Sequence, residues 1–237
     1  KQTKLLAALL PDLTTPLYAS ILEAFEEAAR IRGYHTLTVL SHGSHEEEMR
    51  FLDSMVGRSV DGLAIIPASP AFSDYTVSLK PVVFIERPGN GDGVDSVVVD
   101  NFRGAYLAAE HLISRGHTKI AIIASEREFS SGHDRVLGFE QALRIKNLRI
   151  RPQYICVGGG TEKDGYAGAF RLMNLDDPPT AIFAASEPLC RAAVAAIHDL
   201  KLRLGKDVSL VGFGDSDFAR TYSPAITVVS RATGDMG

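Results

Sequence analysis

Arg135 is a candidate for holding a small ligand. It lies at the start of a predicted helix that follows a long apolar strand. A guanidinium offers a planar fork of N–H donors, which suits a pair of hydroxyls, a carboxylate or a phosphate. The alternative is an ordinary arginine on the solvated face of a helix.

Three glycines and a threonine, Gly158–Thr161, lie between a predicted strand and a predicted helix. Glycines let backbone N–H groups approach a ligand, and a helix N-terminus favours an anion. Together with Arg135, this turn favours a phosphorylated or carboxylated ligand. Its spacing matches neither a Walker loop nor G-x-G-x-x-G, so a flexible turn is the alternative interpretation.

Other polar residues directly follow predicted strands. Ligands of open parallel sheets bind beyond the carboxyl ends of the strands, so we expect these residues to converge on a cleft between two lobes. Tyr18 would lay its ring against a ligand or pack on its own lobe. Glu86 would accept from ligand hydroxyls or form a surface pair with Arg87. The predicted ligand-binding residues are Thr15, Tyr18, Glu86, Arg135, Gly160, Thr161, Ser186 and Asp215.

Catalytic and metal-binding patterns find no support in the sequence. It contains no G-x-S-x-G, H-E-x-x-H or C-x-x-C motif. His42 and His45 lie in a predicted loop without an evident third ligand, and Asp215–Asp217 has no histidine base nearby in sequence. We therefore expect neither an enzyme nor a metal or cofactor site.

The central stretch Asp95–Ala124 predicts a strand–helix–strand unit that positions such residues. Asp100 is suited to cap the helix and Gly116 to end it, and Ile120–Ala124 is typical of a parallel strand buried on both faces. The predicted buried face of the helix comprises Leu107, Ala108, His111 and Leu112.

The same alternation through the rest of the chain predicts an α/β class, with parallel sheets flanked by helices. Predicted strands cover 4–10, 36–40, 62–66, 81–85, 154–157, 181–184 and 209–213, with a last extended segment at 226–229. Predicted helices begin at Pro16 behind a Thr15 cap and at Glu46 behind a Ser44–Glu47 capping box, then cover about 133–146, 162–173 and 188–200. This pattern predicts two similar lobes, residues 1–98 with 230–237 and residues 100–228. A short connection at 67–80 joins the predicted strands 62–66 and 81–85.

Several motifs resemble the regulatory core of the lactose-repressor-type (LacI/GalR) family of transcription factors. They are Asp100-Asn101, Gly104-Ala105, Gly116-His117-x-Lys119-Ile120-Ala121, Arg135–Phe139 and Asp207–Phe213 with Asp215. The resemblance covers nearly the whole chain in the family's order. It implies a periplasmic-binding-protein-like fold and an effector contact from Arg135. It also implies a helix-turn-helix headpiece, which does not precede the first strand in this sequence, so we expect no operator reading by this chain alone.

Three departures from the family affect the expected ligand. Ser186-Glu187 stands where sugar-binding members have Asn-Asp, Gly214 replaces an acidic residue, and Gly158–Gly160 replaces an aromatic platform. A pyranose ring would lack the aromatic stacking and the carboxylate hydrogen bonds that usually bind it in the family. The expected effector is a sugar, a sugar phosphate or another metabolite.

Composition sets further limits. A net charge of −4 argues against a large nucleic-acid surface within this chain. Cys156 and Cys190 are too few for a disulfide framework, and we expect both to be buried thiols. No apolar run approaches the roughly 18 residues of a membrane span, and no secretory leader pattern opens the sequence, which predicts a cytoplasmic location.

We therefore expect the effector-sensing and dimerising core of a LacI-type repressor, with helix 46–56 as a predicted homodimer face. One alternative is an extracytoplasmic sugar-binding protein that serves a transporter. A weaker one is a regulator that responds to a protein partner. A headpiece or a signal peptide encoded upstream would discriminate the first two.

Overall fold

The computed structural model describes residues 2–55, 60–69, 81–88, 95–125 and 130–231. These residues form two compact units, the first ending at Val99 and the second spanning Asp100–Arg231. Most of the predicted 67–80 connection, and all of 232–237, lie outside the described residues.

The first unit contains a five-stranded sheet in the order β2-β1-β3-β4-β5, with every described pairing parallel. Its strands are β1 Leu5–Leu10, β2 His35–Leu40, β3 Gly62–Ile65, β4 Val82–Ile85 and β5 Asp95–Val97. Its helices are α1 Pro16–Ile31 and α2 His45–Met55. The first three residues of the predicted central strand–helix–strand unit form β5 and pair with β4.

The second unit contains a five-stranded parallel sheet in the order β10-β9-β8-β6-β7. Its strands are β6 Ile120–Ser125, β7 Ile155–Gly158, β8 Ala181–Ala184, β9 Ser209–Phe213 and β10 Thr227–Val229. Its helices are α3 Asn101–Ser114, α4 Ser130–Ile145, α5 Glu162–Met173, α6 Glu187–Asp199 and α7 Asp217–Thr221. The predicted α/β class with two parallel sheets is confirmed.

The buried face of α3 differs from the predicted one. Its buried members are Asn101, Gly104, Ala105, Ala108, Ala109 and Leu112, whereas Leu107 is 41% exposed. The reason is close packing: a Cβ built on Gly138 of α4 would lie 2.1 Å from the Phe102 carbonyl oxygen. Small side chains therefore face α4, and a leucine does not fit between the two helices.

Helix capping also separates confirmed predictions from wrong ones. Asp100 caps α3, accepting from the Arg103 N–H at 2.8 Å. Thr15 occupies the N-cap position of α1 but makes no side-chain cap, and its hydroxyl donates to the Asp12 carboxylate at 3.2 Å. At α2, Ser44 accepts from the Glu47 N–H at 3.3 Å, while the Glu47 carboxylate pairs with Arg50.

Within the described ranges, no helix has both the length and the apolar character needed to cross a bilayer.

Candidate functional site

The carboxyl ends of the strands in the second sheet meet at one edge. Because the strands are parallel and in register, Ser125 of β6 lies opposite Gly158 of β7, and Ala184 of β8 lies opposite Gly212 of β9. The residues that follow these strands therefore share the edge where α/β sheets bind ligands. Ser186 and Gly214 belong to this set.

Arg135 is not a solvated helix arginine. Its side chain is in the interior of α4's buried face, and the residue is only 5% exposed. Its Nε donates to the Asn101 Oδ1 at 2.9 Å, and its Nη1 donates to the Ala185 carbonyl oxygen at 2.7 Å. The guanidinium is thus fixed between the start of α3 and the end of β8.

Phe213, the last residue of β9, forms a floor under that guanidinium. The Arg135 guanidinium carbon lies 4.0 Å from the ring centroid, and that of Arg231 lies 5.6 Å from the same centroid. Arg231 also approaches Gly214, where a built Cβ would lie 3.0 Å from its Nη2. Sequence reasoning missed Asn101, Phe213 and Arg231 as site residues. Only Asn101 and Phe213 could have been identified from the sequence, because both belong to the motifs that resemble the family.

Ser186 presents a hydroxyl at the same edge. It precedes α6 in extended conformation and makes no side-chain cap. Its Oγ is buried and has no hydrogen-bond partner in the described part of the chain. Ser186 directly follows Ala185, whose carbonyl accepts from the Arg135 Nη1.

Asp215 lies further out along the edge. Its side chain is 38% exposed, and its Oδ2 is 3.9 Å from the Arg220 Nη1. Its neighbour Ser216 caps α7, accepting from the Ala219 N–H at 3.4 Å. Asp215 therefore lies near the surface, just before the short helix α7.

The Gly158–Thr161 turn is organised by an internal carboxylate. Asp164 Oδ2 accepts from the Thr161 hydroxyl at 2.5 Å and from the Thr161 N–H at 3.0 Å, in a reciprocal capping box. The hydrogen bond from the Thr161 side chain, followed by the backbone bonds, holds the pKa of Asp164 below its usual value. The Thr161 N–H and hydroxyl are therefore engaged by Asp164, with which an external anion would compete. The anion site at Gly160 and Thr161 stays a prediction.

The first sheet brings Thr15, Tyr18 and Glu86 to the carboxyl ends of its strands. Asp12 accepts from the Thr15 N–H at 2.7 Å. Burial alone would raise the pKa of Asp12, but the hydrogen bonds from Thr15 and Thr14 outweigh it and lower the value. Tyr18 packs against the cluster that contains Leu10 and Ile21, as one of its two interpretations predicted.

Glu86 combines burial with an uncommon backbone. It is 6% exposed and has φ of +66°, a left-handed conformation that costs a non-glycine residue on the order of 1 kcal/mol. Its N–H donates to the Val97 carbonyl at 2.9 Å. The neighbouring Arg87 donates to the Pro67 carbonyl. A solvated surface pair is therefore the wrong description of Glu86, which lies buried directly after β4.

Potential metal ligands do not gather within the described residues: no group of three or more His, Cys, Asp or Glu side chains could hold an ion there. His45, one of the two loop histidines, begins α2 and has its Nδ1 3.8 Å from the buried Glu48 Oε2.

Comparison with known proteins agrees with this architecture. Residues 109–237, more than half of the chain, match the family of periplasmic binding protein-like domains. The chain belongs to that family.

Similar proteins place this periplasmic-binding-protein-like chain among transcription regulators. It is 28% identical over 242 residues to the transcriptional repressor PurR of Proteus mirabilis, covering 99% of this chain and 70% of the relative. A solved complex of the regulator CelR with cellobiose is 27% identical, with a TM-score of 0.89 over 100% of this chain and 75% of that one. CcpA of Lactococcus lactis, 22% identical with a TM-score of 0.91 over 100% and 88% of the two chains, shares the fold. The predicted LacI/GalR-type core is confirmed.

Proposed function

We propose that this chain senses a small molecule at the carboxyl-end edge of its second sheet and thereby sets the operator affinity of a complete LacI-type repressor. The observation that carries the proposal is Arg135. Two of its N–H groups donate to Asn101 and Ala185, and its guanidinium lies on the Phe213 ring. Ala185 and Phe213 lie at the carboxyl ends of β8 and β9, so the buried guanidinium is held at the edge where α/β sheets bind ligands. A fixed guanidinium binds a ligand without losing side-chain entropy at that step.

The effector would act by population shift. A ligand changes an equilibrium between arrangements only by its differential affinity for them. We propose lobes of residues 1–98 with 230–237 and residues 100–228, joined near 99–100 and 230, as the parts whose arrangement responds. The boundary between Val99 and Asp100 in the described units supports the first of these hinges.

The effector's class remains the one the sequence predicts: a sugar, a sugar phosphate or another metabolite. CelR was solved with cellobiose. Arg135 and Ser186 supply a donor fork and a hydroxyl, whereas the aromatic plate and the acidic residue at 214 are absent from the sequence.

The remaining partners are proposals as well. We propose a cytoplasmic homodimer that contacts operator DNA through a headpiece outside this chain, with α2 at the dimer face. The relatives are named as transcriptional repressors, which does not favour the transporter-linked alternative. Nor do they favour an enzyme.

A thermal-shift screen with sugars, sugar phosphates and nucleobases tests the proposal. A ligand at about 100 times its Kd stabilises the folded protein by roughly 2.7 kcal/mol, which raises the Tm measurably. The hit should lose most of this shift in Arg135→Lys, which keeps the charge but not the fork, and in Ser186→Ala. Arg220→Lys on the exposed α7 is the matched control. Equal shifts in all four proteins would refute the assignment of the site.

A further inference from the structure

A cavity lies at the opposite end of the second sheet from Arg135. It has a volume of about 230 Å³ and opens between the C-terminal turn of α3 and the amino ends of β9 and β10. Its polar lining includes His111, Arg115, His117 and Ser209, and its apolar lining includes Leu204 and Ile226. No Asp or Glu lines it among the residues that the structure describes.

His111 and Arg115 are presented together by helical geometry. They are four residues apart at the end of α3, so their side chains lie on one face. The carbonyls of that last turn are satisfied: His111, Leu112 and Ile113 accept from the N–H groups of residues 115–117. These hydrogen bonds offset part of the negative end of the helix dipole, so the attraction for an anion comes from the side chains of Arg115 and the histidines.

His117 forms a hydrogen bond with Thr180 through one ring nitrogen. Its Nδ1 lies 2.9 Å from the Thr180 hydroxyl oxygen, and the direction of this hydrogen bond depends on the tautomer. When the hydroxyl donates to Nδ1, Nε2 carries the ring proton and is a donor for a carboxylate. Burial lowers the pKa of His117, so its ring is neutral near pH 7 unless an anion favours the protonated form.

A cavity lined by both cationic or polar side chains and apolar side chains favours a ligand that has both a charged group and an apolar part. Small-molecule sites are mostly apolar, with a few convergent polar groups that fix the orientation of the ligand. Here the lining combines the nitrogen-bearing side chains of His111, Arg115 and His117 with the apolar side chains of Leu204, Val211 and Ile226. A bare phosphate would make no contact with the apolar side chains. A neutral apolar molecule would form no ion pair with Arg115.

We propose that this cavity is a second ligand site, which binds a small monocarboxylate with an apolar body. The carboxylate contacts Arg115 and the two histidines, and the apolar body lies against Leu204 and Ile226. The site is separate from the one at Arg135. Asn101, the hydrogen-bond partner of Arg135, is the first residue of α3, and Arg115 caps the C-terminal end of the same helix. About 20 Å of helix therefore separates Asn101 from Arg115.

Backbone NMR of the ¹⁵N-labelled chain, titrated with benzoate, tests this site directly. Benzoate should shift the amides of Gly205, Ser209 and Ile226. Benzamide, its neutral analogue, and inorganic phosphate should each bind at least about tenfold more weakly, since each lacks one half of the recognition. Equal binding by benzamide would remove the carboxylate from the proposal, and equal binding by phosphate would remove the apolar body; either result overturns it.

Arg115→Gln and His117→Gln should each weaken benzoate binding, the first by about tenfold. Arg115 is exposed, so its replacement leaves the fold intact. Arg32→Gln is the matched control, because Arg32 caps α1 before Gly33 as Arg115 caps α3 before Gly116. Unchanged affinity in Arg115→Gln, or shifts confined to Ala185 and Gly214, would overturn the second site. The latter result would place benzoate at the Arg135 edge and leave the proposed function standing.

Discussion

The guanidinium carbon of Arg135 lies 4.0 Å from the centroid of the Phe213 ring. A buried cation over an aromatic face is stabilised by about 2 kcal/mol. The same ring lies 6.4 Å from Phe183, which in turn stacks 6.4 Å from Phe139 of α4. Arg135, the proposed ligand-binding arginine, is therefore supported by an aromatic row of the core, and packing defects in that row should displace its guanidinium.

The hydrogen bond between Arg135 and Asn101 should carry a measurable coupling energy. Both residues are 5% exposed, so each single replacement, Arg135→Met or Asn101→Ala, leaves a buried polar group and should cost about 1–3 kcal/mol. The double-mutant cycle from urea denaturation should give a coupling of roughly 1 kcal/mol or more. The exposed pair Arg220–Asp217, 2.7 Å apart, is the control and should couple within error. Additive effects at Arg135 and Asn101 would contradict the geometry.

Gly138 should not tolerate a methyl group. A Cβ there would lie 2.1 Å from the Phe102 carbonyl oxygen and 2.9 Å from its carbon, both backbone atoms. Gly138→Ala should therefore separate α3 from α4 and destabilise the protein by about 3 kcal/mol or more. Gly168→Ala is the control. Its nearest neighbour is an Ile123 methyl at 3.1 Å, and the gain in helix propensity of about 1 kcal/mol offsets the crowding. Chemical denaturation that ranks the two variants equally would count against this packing.

The regular elements were the part of the structure that the sequence predicted best. Residues 162–173, 181–184 and 209–213 form their elements at the predicted boundaries, because turns and caps mark both ends and the strands are continuously apolar. The face of α3 was predicted in part: Ala108 and Leu112 are buried as predicted, whereas Leu107 is exposed, because a helix that packs closely on another buries glycine and alanine in preference to larger residues.

The site was predictable in position and not in its contacts. Arg135 was identified from its position in a helix and its motif. Its hydrogen-bond partners are 34 and 50 residues away along the sequence, and no local sequence pattern predicts contacts over such separations. The capping box at Thr161 was missed for a simpler reason. Aspartate stands at the position where the usual pattern has Glu or Gln, so the turn resembled an open anion site.

Acid should weaken the second unit through Asp177. Hydrogen bonds from Lys119 at 2.7 Å and Arg151 at 2.6 Å hold the pKa of Asp177 below its ordinary value of 3.8. The unfolded chain then binds a proton more readily, so this stabilisation is present above the unfolded pKa and is lost as the pH falls through the folded pKa. The stability difference between wild type and Asp177→Asn should be largest near neutral pH and should shrink below about pH 4. Asp176→Asn, at the exposed neighbour, should show no such change. A difference that grew toward low pH would contradict the prediction.

Both cysteines should resist thiol reagents until the protein unfolds. Burial, with a further contribution from the Glu187 charge, raises the pKa of Cys190 to about 12, and the residue is 3% exposed. At pH 8 the thiolate fraction is then roughly one in ten thousand. Burial also raises the pKa of Cys156, although the Arg171 Nη2, 2.7 Å from its sulfur, opposes the effect. Cys156 is 8% exposed and should react the faster of the two.

Ellman's reagent on the native chain should therefore give a slow phase without a stoichiometric burst, and two thiols should react at once in guanidinium chloride. Cys156→Ser and Cys190→Ser assign the two rates. Because reaction needs local opening of β7 or α6, the rates also report the stability of these elements. A rapid single-thiol burst that disappears in Cys156→Ser would mean that Arg171 stabilises the thiolate more than burial disfavours it.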